Sequence, residues 1–353
     1  MNYIHGTSGN ENMISRDTPG SDYIQGYEGF DVLWGGEGKD IFVIYANDPQ
    51  IGYLVKTFCA DIQDGVDLID LSRTGVTGMD QVVTLFEYDT DIIQSDVFYS
   101  PDGWPTPRSP FRVYLAGELD TRFVVDATDF IFADTPQYWL TGGNDTAQIG
   151  DMTYSVWFGN GGNDMADFGA CRPVAGIGLS VDLERGRATA ISDGQVVHLV
   201  EFQNVTGTRG QDIILGDKLE NQLVGGRNAD QIDGGDGDDR LFGGIGADQL
   251  TGGVGNDILT GEAGYDRLYG GAGADIFVFG TEDTKLDSVR DFADGVDKFD
   301  VSAWGVTGFD QLVITQAGRR SAYVSDGEFS FRIVDTAGFD LSTITADDFV
   351  LDV

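Results

Sequence analysis

Aspartate recurs at one position of a nine-residue pattern that runs from Gly207 to Val278 without a gap. The sixth residue of each unit is Asp in seven of the eight units and Asn221 in the other. Glycines fill most of the first four positions, so each carboxylate follows a tight turn rich in main-chain carbonyls. Such oxygen ligands suit calcium, a hard cation. The pattern therefore predicts calcium ligands at Asp212, Asp230, Asp239, Asp248, Asp257, Asp266 and Asp275.

The eighth residue of every unit is apolar, which predicts a short strand with one inward side chain after each turn. Two nonapeptides would complete one coil, and coils would stack at about 4.8 Å. Carboxylates eighteen residues apart then lie above one another. The pairs expected are Asp230 with Asp248, Asp239 with Asp257, Asp248 with Asp266, Asp257 with Asp275 and, from a less regular part, Asp212 with Asp230. A disordered Gly/Asp-rich tract is the competing interpretation, but disorder does not need an apolar residue at every eighth position.

The units resemble the GGxGxDxUx repeats of RTX (haemolysin-type) calcium-binding proteins, most closely from Gly234 to Val278. Leu219 and Asn228 replace the fourth-position glycine in the second and third units. The resemblance implies an all-β fold of parallel β-roll solenoids with β-rich caps, and Ca2+ as the cofactor. A cap of this kind would cover the open end of a roll and keep its strand edges from pairing with other chains.

The same unit occurs near the N-terminus, in three contiguous copies from Asp17 to Val43. Their sixth residues add Asp22, Asp31 and Asp40 to the predicted calcium ligands. The segment at 64–83 then recurs at 294–313, which indicates that repeats followed by a cap occur twice. The domains expected are a short repeat block with its cap at 1–134, a connector at 135–206, the main roll at 207–279 and a second cap at 280–353.

Two degenerate units in the connector, TGGNDTAQ from Thr141 and GNGGNDMAD from Gly159, suggest Asp145 and Asp164 as further ligands. These two residues are nineteen positions apart, so one residue is expected to bulge out of the regular coil. The connector is thus expected to continue the solenoid into the second roll.

Acidic side chains outnumber basic ones by 59 to 21, and the formal net charge is −38. Such an excess repels itself in any compact state unless cations neutralise it, and it argues against nucleic acid as a partner. The N-terminus shows no cleavable signal sequence, and no apolar run is long enough to span a bilayer. Cys59 and Cys171 are either a pair or two unrelated buried thiols.

Catalytic motifs are missing from the sequence, which has neither HExxH nor GxSxG nor a phosphate-binding loop. His198 stands in the alternating run HLVEF, where a structural strand residue is the simpler interpretation. Repeat, cap and connector account for almost the whole chain and leave no room for a separate catalytic domain. A site built from strand carboxylates remains the enzyme hypothesis, since the chain has many such groups.

Basic residues occupy matching places in the two caps and offer a surface for an acidic polysaccharide or a cell surface. The competing interpretation is that they form weak surface ion pairs. Tryptophans would stack on sugar rings or fill the core. The candidate ligand-binding residues are Trp104, Arg319 and Arg320.

The sequence therefore predicts a secreted, non-enzymatic calcium-binding protein that folds when it binds calcium. Its ending, DDFVLDV, resembles the tails of type I secretion substrates, so export without a cleaved N-terminal signal is expected. A structural, adhesive or surface-interaction role is the first hypothesis. The alternative is a module that binds acidic polysaccharide or an accessory protein that modifies polysaccharide.

Overall fold

The computed structural model describes residues 2–6, 12–14, 21–26, 30–36, 39–43, 55–59, 68–71, 82–89, 92–99, 111–116, 130–131, 135–172, 177–281, 285–317, 320–334 and 343–352. Only the backbone is described for 2, 12–14, 30–32, 55–59, 82–89, 92–99, 111–116 and 130–131. The chain divides into two compact units: residues 1–140 with 154–161, and residues 141–153 with 162–353. Each unit is built almost wholly from β-strands, numbered here in chain order.

The first unit combines parallel strands that alternate between two sheets with an antiparallel hairpin. One sheet has the order β1-β3-β5-β7-β11 and the other the order β2-β4-β6-β10-β9-β8. A parallel pair, β12 and β14, belongs to the same unit. The strands are β1 (Asn2–His5), β2 (Asn12–Ile14), β3 (Asp22–Gln25), β4 (Phe30–Trp34), β5 (Ile41–Val43), β6 (Val55–Cys59), β7 (Leu68–Asp70), β8 (Val82–Asp89), β9 (Ile92–Tyr99), β10 (Phe111–Ala116), β11 (Phe130–Ile131), β12 (Gln137–Trp139) and β14 (Ser155–Phe158).

The second unit is a parallel β-solenoid whose strands also alternate between two sheets. It comprises β13 (Thr146–Gln148), β15 (Met165–Asp167), β16 (Ile177–Asp182), β17 (Arg187–Ala190), β18 (Val196–Val200), β19 (Asn204–Thr206), β20 (Gln211–Leu215), β21 (Gln222–Arg227), β22 (Gln231–Asp236), β23 (Arg240–Gly246), β24 (Gln249–Val254), β25 (Ile258–Gly264), β26 (Arg267–Ala272), β27 (Ile276–Val278), β28 (Ser288–Val289), β29 (Lys298–Asp300), β30 (Val313–Gln316), β31 (Ser321–Ser325), β32 (Ser330–Val334) and β33 (Phe349–Val350). One sheet has the order β18-β17-β16-β20-β22-β24-β26-β28-β32-β31-β30, and the other the order β13-β15-β19-β21-β23-β25-β27-β29-β33.

Two nonapeptides make one coil, as the sequence predicts, because strands two apart in the chain pair in parallel. Leu250 of β24 lies between Ile232 of β22 and Leu268 of β26. The eighth-position side chains form the core between the sheets, and each is at most 2% exposed: Ile214, Leu223, Ile232, Leu241, Leu250, Leu259, Leu268 and Phe277. The apolar period therefore sets the position of every strand in the roll.

The strands of the roll are longer than the three residues expected from the pattern. From β21 to β26 they continue through the first three or four positions of the following unit, so that Gly235 pairs with Gly253. A residue without a side chain lets neighbouring coils approach this closely: a Cβ added at Gly253 would collide with the carbonyl oxygen of Gly235. Expecting the turn to begin at the first glycine was wrong, because the glycines carry the sheet into the turn.

The duplication seen in the sequence has a counterpart in the strand pairing. In the first unit, β10 pairs in parallel with β6 and antiparallel with β9, and β11 pairs in parallel with β7. In the second unit, β32 pairs in parallel with β28 and antiparallel with β31, and β33 pairs in parallel with β29. Both caps therefore extend the roll by parallel strands and end in an antiparallel hairpin.

Helical structure in the described residues consists of three-residue 3-10 turns at Ser302–Trp304, Phe309–Gln311 and Ala346–Asp348. A membrane-spanning helix, long and apolar enough to cross a bilayer, does not occur in that part of the chain.

Candidate calcium-binding rows

Mostly acidic and mostly buried side chains form two rows along the second unit, one beside each sheet. The first row contains Asp212, Asp230, Asp248, Asp266 and Asp287. The second contains Asp145, Asp164, Gln203, Asn221, Asp239, Asp257, Asp275 and Asp297, with an unbroken run from Asn221 onward. Every pair expected from the eighteen-residue spacing lies together in these rows.

One carboxylate oxygen in each regular repeat is used by the backbone. The N–H of Asp230 donates to Oδ1 of Asp248 at 2.8 Å, and the N–H of Asp248 donates to Oδ1 of Asp266 at 2.7 Å. In the second row, the N–H of Asp239 donates to Oδ1 of Asp257 at 2.8 Å. Each aspartate side chain thus links its own coil to the preceding one, and the hydrogen bond fixes the orientation of its carboxylate.

The second carboxylate oxygen, Oδ2, is buried without any hydrogen-bond donor at several described positions of the second unit. These positions are at most 1% exposed. They are Asp164, Asp230, Asp239, Asp248, Asp257 and Asp275. A buried ionised carboxylate is costly unless a positive partner or donors compensate it. The arrangement fits a bound cation, which would supply the missing partner.

Glycine carbonyls lie next to these free oxygens. A Cβ built on Gly243 would be 2.6 Å from Oδ2 of Asp248 and 2.7 Å from the carbonyl oxygen of Gly261. Carboxylate and carbonyl oxygen therefore border the same small space, and only a residue without a side chain fits there. In the described residues no three His, Cys, Asp or Glu side chains converge as a metal cluster. A cation would need main-chain carbonyls as well as carboxylates, a ligand set that calcium accepts.

Burial raises the pKa of these carboxyl groups. The pKa of Asp230 rises to about 8 and that of Asp239 to about 7, mainly through desolvation and further through neighbouring acids. Desolvation also raises the pKa of Asp248 and of Asp275 to about 6. The hydrogen bond from the backbone opposes the shift in each case. Without a cation, Asp230 therefore stays largely protonated at neutral pH, and each of the other three carboxyls releases its proton at a higher pH than an exposed aspartate.

The remaining predicted residues have separate positions. In the first unit, the N–H of Asp22 donates to Oδ1 of Asp40 at 2.9 Å, and both residues are buried. Asp31 lies in β4, in a part of that strand where only the backbone is described. Trp104 and Arg319 lie outside the described residues, and Arg320 is exposed.

Cys171 forms no disulfide. Its buried Sγ donates to the carbonyl oxygen of Ile149 at 2.9 Å, and desolvation raises the pKa of the thiol to about 11. Of the two interpretations that the sequence left open, an unpaired buried thiol is the one observed for this residue.

Two acidic residues of the second cap extend the rows and were not predicted as ligands. The N–H of Asp266 donates to Oδ1 of Asp287 at 2.9 Å, and that of Asp275 donates to Oδ1 of Asp297 at 3.0 Å. Asp287 lies 21 residues after Asp266, and Asp297 lies 22 residues after Asp275. A search for aspartates spaced eighteen residues apart therefore misses both. Asp297 lies in the duplicated segment, and that duplication was the one available signal.

Comparison with known proteins identifies the repeats. The family model described as the RTX calcium-binding nonapeptide repeat matches in four copies at residues 17–43, 219–250 and 251–284. The R2 subunit of the AlgE6 mannuronan C5-epimerase from Azotobacter vinelandii is 30% identical; the match covers 39% of this chain and 91% of the subunit, with a TM-score of 0.28. The R3 subunit is also 30% identical, with coverages of 38% and 80% and a TM-score of 0.24.

A third similar structure is the extracellular lipase LipA from Serratia marcescens, which is 14% identical. That match covers 99% of this chain and 40% of the lipase, with a TM-score of 0.24. Among curated proteins, none matches this chain.

Proposed function

Because this chain belongs to the family of RTX calcium-binding nonapeptide-repeat proteins, we propose that calcium completes its two carboxylate rows and that folding depends on it. The observation that carries the proposal is the set of buried Oδ2 atoms without donors. Glycine carbonyls beside them provide the further oxygen ligands. Calcium supplies the positive charge that no described protein group supplies at these oxygens.

The calcium concentration would also determine whether the protein folds. The chain has a net charge of −38, and the rows place acidic groups on consecutive coils. Self-repulsion opposes this arrangement, while a ligand at a hundred times its dissociation constant stabilises the folded state by about 2.7 kcal/mol per site. Several sites together reach the stability of a whole domain. The solenoid is then a structure that forms where calcium is plentiful.

The test is a calcium titration of chelated protein followed by far-ultraviolet circular dichroism, with magnesium as the matched control. We expect a cooperative gain of β signal with calcium and little change with magnesium, because magnesium demands a rigid octahedral shell and gives up its waters reluctantly. A metal-free protein with the full β signal and no response to calcium would overturn the proposal.

A secreted protein with a structural, adhesive or surface-interaction role follows from calcium-dependent folding. Extracellular calcium modules work at dissociation constants of about 10⁻⁴ to 10⁻³ M, far weaker than the sites of cytosolic calcium buffers. A solenoid of this class would stay unfolded inside the cell and fold after export through a type I route. Deletion of residues 340–353 is expected to lower export to the medium, and export at the full level would contradict the type I part alone.

An acidic polysaccharide is the second candidate, and a group of arginines on one sheet favours it. Arg267 and Arg332 lie on either side of Ser288 in adjacent strands, and Arg290 donates from Nε to Oγ of Ser288 at 3.1 Å. None of the three arginines forms an ion pair with a described residue. Nε of Arg332 is buried without an acceptor in the described structure. On a chain this acidic, three unpaired guanidinium groups on one face form a carboxylate-binding surface.

The polysaccharide proposal is tested with a uronic-acid hexasaccharide at constant free calcium, measured by titration calorimetry. Arg267→Gln is expected to weaken binding severalfold. Arg240→Gln is the matched control, since Arg240 is also exposed but lies in the opposite sheet. Equal binding by both variants and the unmodified protein would remove this face as the binding surface.

A further inference from the structure

The turns before the sixth-position side chains are of two kinds. In the first kind, the N–H of the turn's second residue, four positions earlier, donates to the side-chain oxygen. Thr208 does so to Oδ2 of Asp212 at 2.6 Å. We call these closed turns. Three other turns are closed by the same hydrogen bond. The N–H of Thr141 donates to Oδ2 of Asp145 at 2.9 Å, that of Asp217 to Oδ1 of Asn221 at 2.8 Å, and that of Ala293 to Oδ2 of Asp297 at 2.7 Å.

In the second kind, the second residue has a positive φ and is usually a glycine, and Oδ2 of the aspartate receives no donor. Gly235, with a φ of 97°, precedes Asp239 in this way. We call these open turns. The others with a glycine are Gly226 (112°) before Asp230, Gly244 (99°) before Asp248, Gly253 (114°) before Asp257 and Gly271 (98°) before Asp275. The turn before Asp164 is also open, with Asn160 (63°) in place of the glycine.

The sign of φ explains the difference. A change of φ from negative to positive rotates the N–H of the second residue with respect to the residues that follow, so it no longer points at the carboxylate. In an open turn the preceding strand also continues through this glycine, as where Gly235 pairs with Gly253. By contrast, β19 and β20 end at Thr206 and Leu215, before the closed turns begin.

We propose that the second residue of each turn decides whether the turn binds calcium: open turns bind it, and closed turns replace it with their own N–H. Asp145 and Asp212, predicted as ligands from the sequence, then bind none. The turn before Asn221 is further excluded as a calcium site by the side-chain amide, because Nδ2 of Asn221 donates to the carbonyl oxygen of Gln203 at 2.8 Å. The calcium sites of the main block begin at Asp230 and Asp239, and the first coil binds no calcium of its own.

The inference rests on the proposed role of calcium, and the number of bound ions tests it. Thr208→Gly removes the side chain and frees the backbone to open the turn at Asp212. Thr208→Ala is the matched control, because it removes the same hydroxyl and keeps a residue that disfavours positive φ. In equilibrium dialysis of the full chain at saturating calcium, Thr208→Gly is expected to bind one more ion than the unmodified protein, and Thr208→Ala the same number.

A Thr208→Gly protein with the normal circular dichroism and no additional ion would overturn the inference. If that variant does not fold, Asp212→Asn and Asp239→Asn give a second measurement. Asp212→Asn is expected to bind the normal number of ions and Asp239→Asn at least one fewer; loss of an ion from Asp212→Asn would overturn the inference. Absence of calcium binding by the unmodified protein would instead contradict the proposed function.

Discussion

The backbone N–H of Asp239 donates to Oδ1 of Asp257 at 2.8 Å, while Oδ2 of Asp257 is buried without a donor. One side chain therefore has two roles. Through Oδ1 it joins successive coils, and through Oδ2 it leaves a position for a cation. Because the two oxygens belong to one rigid carboxylate, a cation bound at Oδ2 also stabilises the hydrogen bond at Oδ1.

Asp257→Asn tests the second role. The amide can keep the hydrogen bond through its oxygen but replaces the cation-binding oxygen with an N–H2 group. We expect at least one bound calcium fewer and a loss of up to about 2.7 kcal/mol when calcium is a hundred times the dissociation constant. Urea unfolding and calcium dialysis measure both quantities. Asp233→Asn, the same charge change at an exposed strand position, is expected to leave the ion count unchanged; a matching loss there would point to net charge as the cause.

Stability of the metal-free protein should fall as the pH rises from about 4 to about 8. The folded pKa is about 8 at Asp230 and about 7 at Asp239, against an ordinary value of 3.8. The folded state thus retains protons that the unfolded state has released, and stability decreases with pH wherever the folded state binds more protons. In protein freed of divalent cations on a chelating resin, we expect more β signal in far-ultraviolet circular dichroism at pH 5 than at pH 8.

Saturating calcium should remove this trend, because metal binding displaces the protons from the carboxyls. A β signal that rises with pH in the metal-free protein would contradict the burial of these groups in the absence of metal.

Leu250→Ala is expected to cost about 2 to 5 kcal/mol in saturating calcium. Leu250 is 0% exposed and stacks between Ile232 and Leu268 of the neighbouring coils, so its removal leaves a cavity that the rigid solenoid cannot close. Guanidinium unfolding measures the change. The neighbouring Gln249 is exposed, and Gln249→Ala should stay within about 0.5 kcal/mol. Equal effects of the two substitutions would show that the eighth position does not carry the core.

Cys171 should resist alkylation while the protein is folded. Its thiol is buried with a pKa of about 11, so little thiolate is present and reagents do not reach it. In a Cys59→Ser background at pH 8, we expect slow iodoacetamide labelling in calcium and rapid labelling after chelation. Rapid labelling in both conditions would show that calcium does not control the packing around this residue.

Much of the solenoid could be predicted from residue periods. An apolar residue at every eighth position and a glycine at every first one specify strand, turn and an eighteen-residue coil, because each coil repeats the same local interactions. Ile232, Leu250 and Leu268 stack as that pattern requires. The same reasoning placed Asp239, Asp257 and Asp275 in one row, since their spacing equals one coil.

Other features depended on the tertiary structure. Asp287 and Asp297 enter the rows at irregular spacings because the chain leaves the repeat and returns to the sheet through β28 and β29. Arg267 and Arg332 become neighbours of Ser288 only through the pairing of β26, β28 and β32.

By itself, the sequence determined the coil, its core and the acidic side chains that line it, since these follow from a local pattern repeated along the chain. Only the tertiary structure decided which carboxylate oxygens stay without a donor. Asp212 and Asp239 occupy the same place in their repeats, yet the N–H of Thr208 completes one and Gly235 leaves the other open. The sequence shows which residue stands second in each turn, but the direction of its N–H depends on a backbone angle and on the coil packed beside it, and these appear only in the structure.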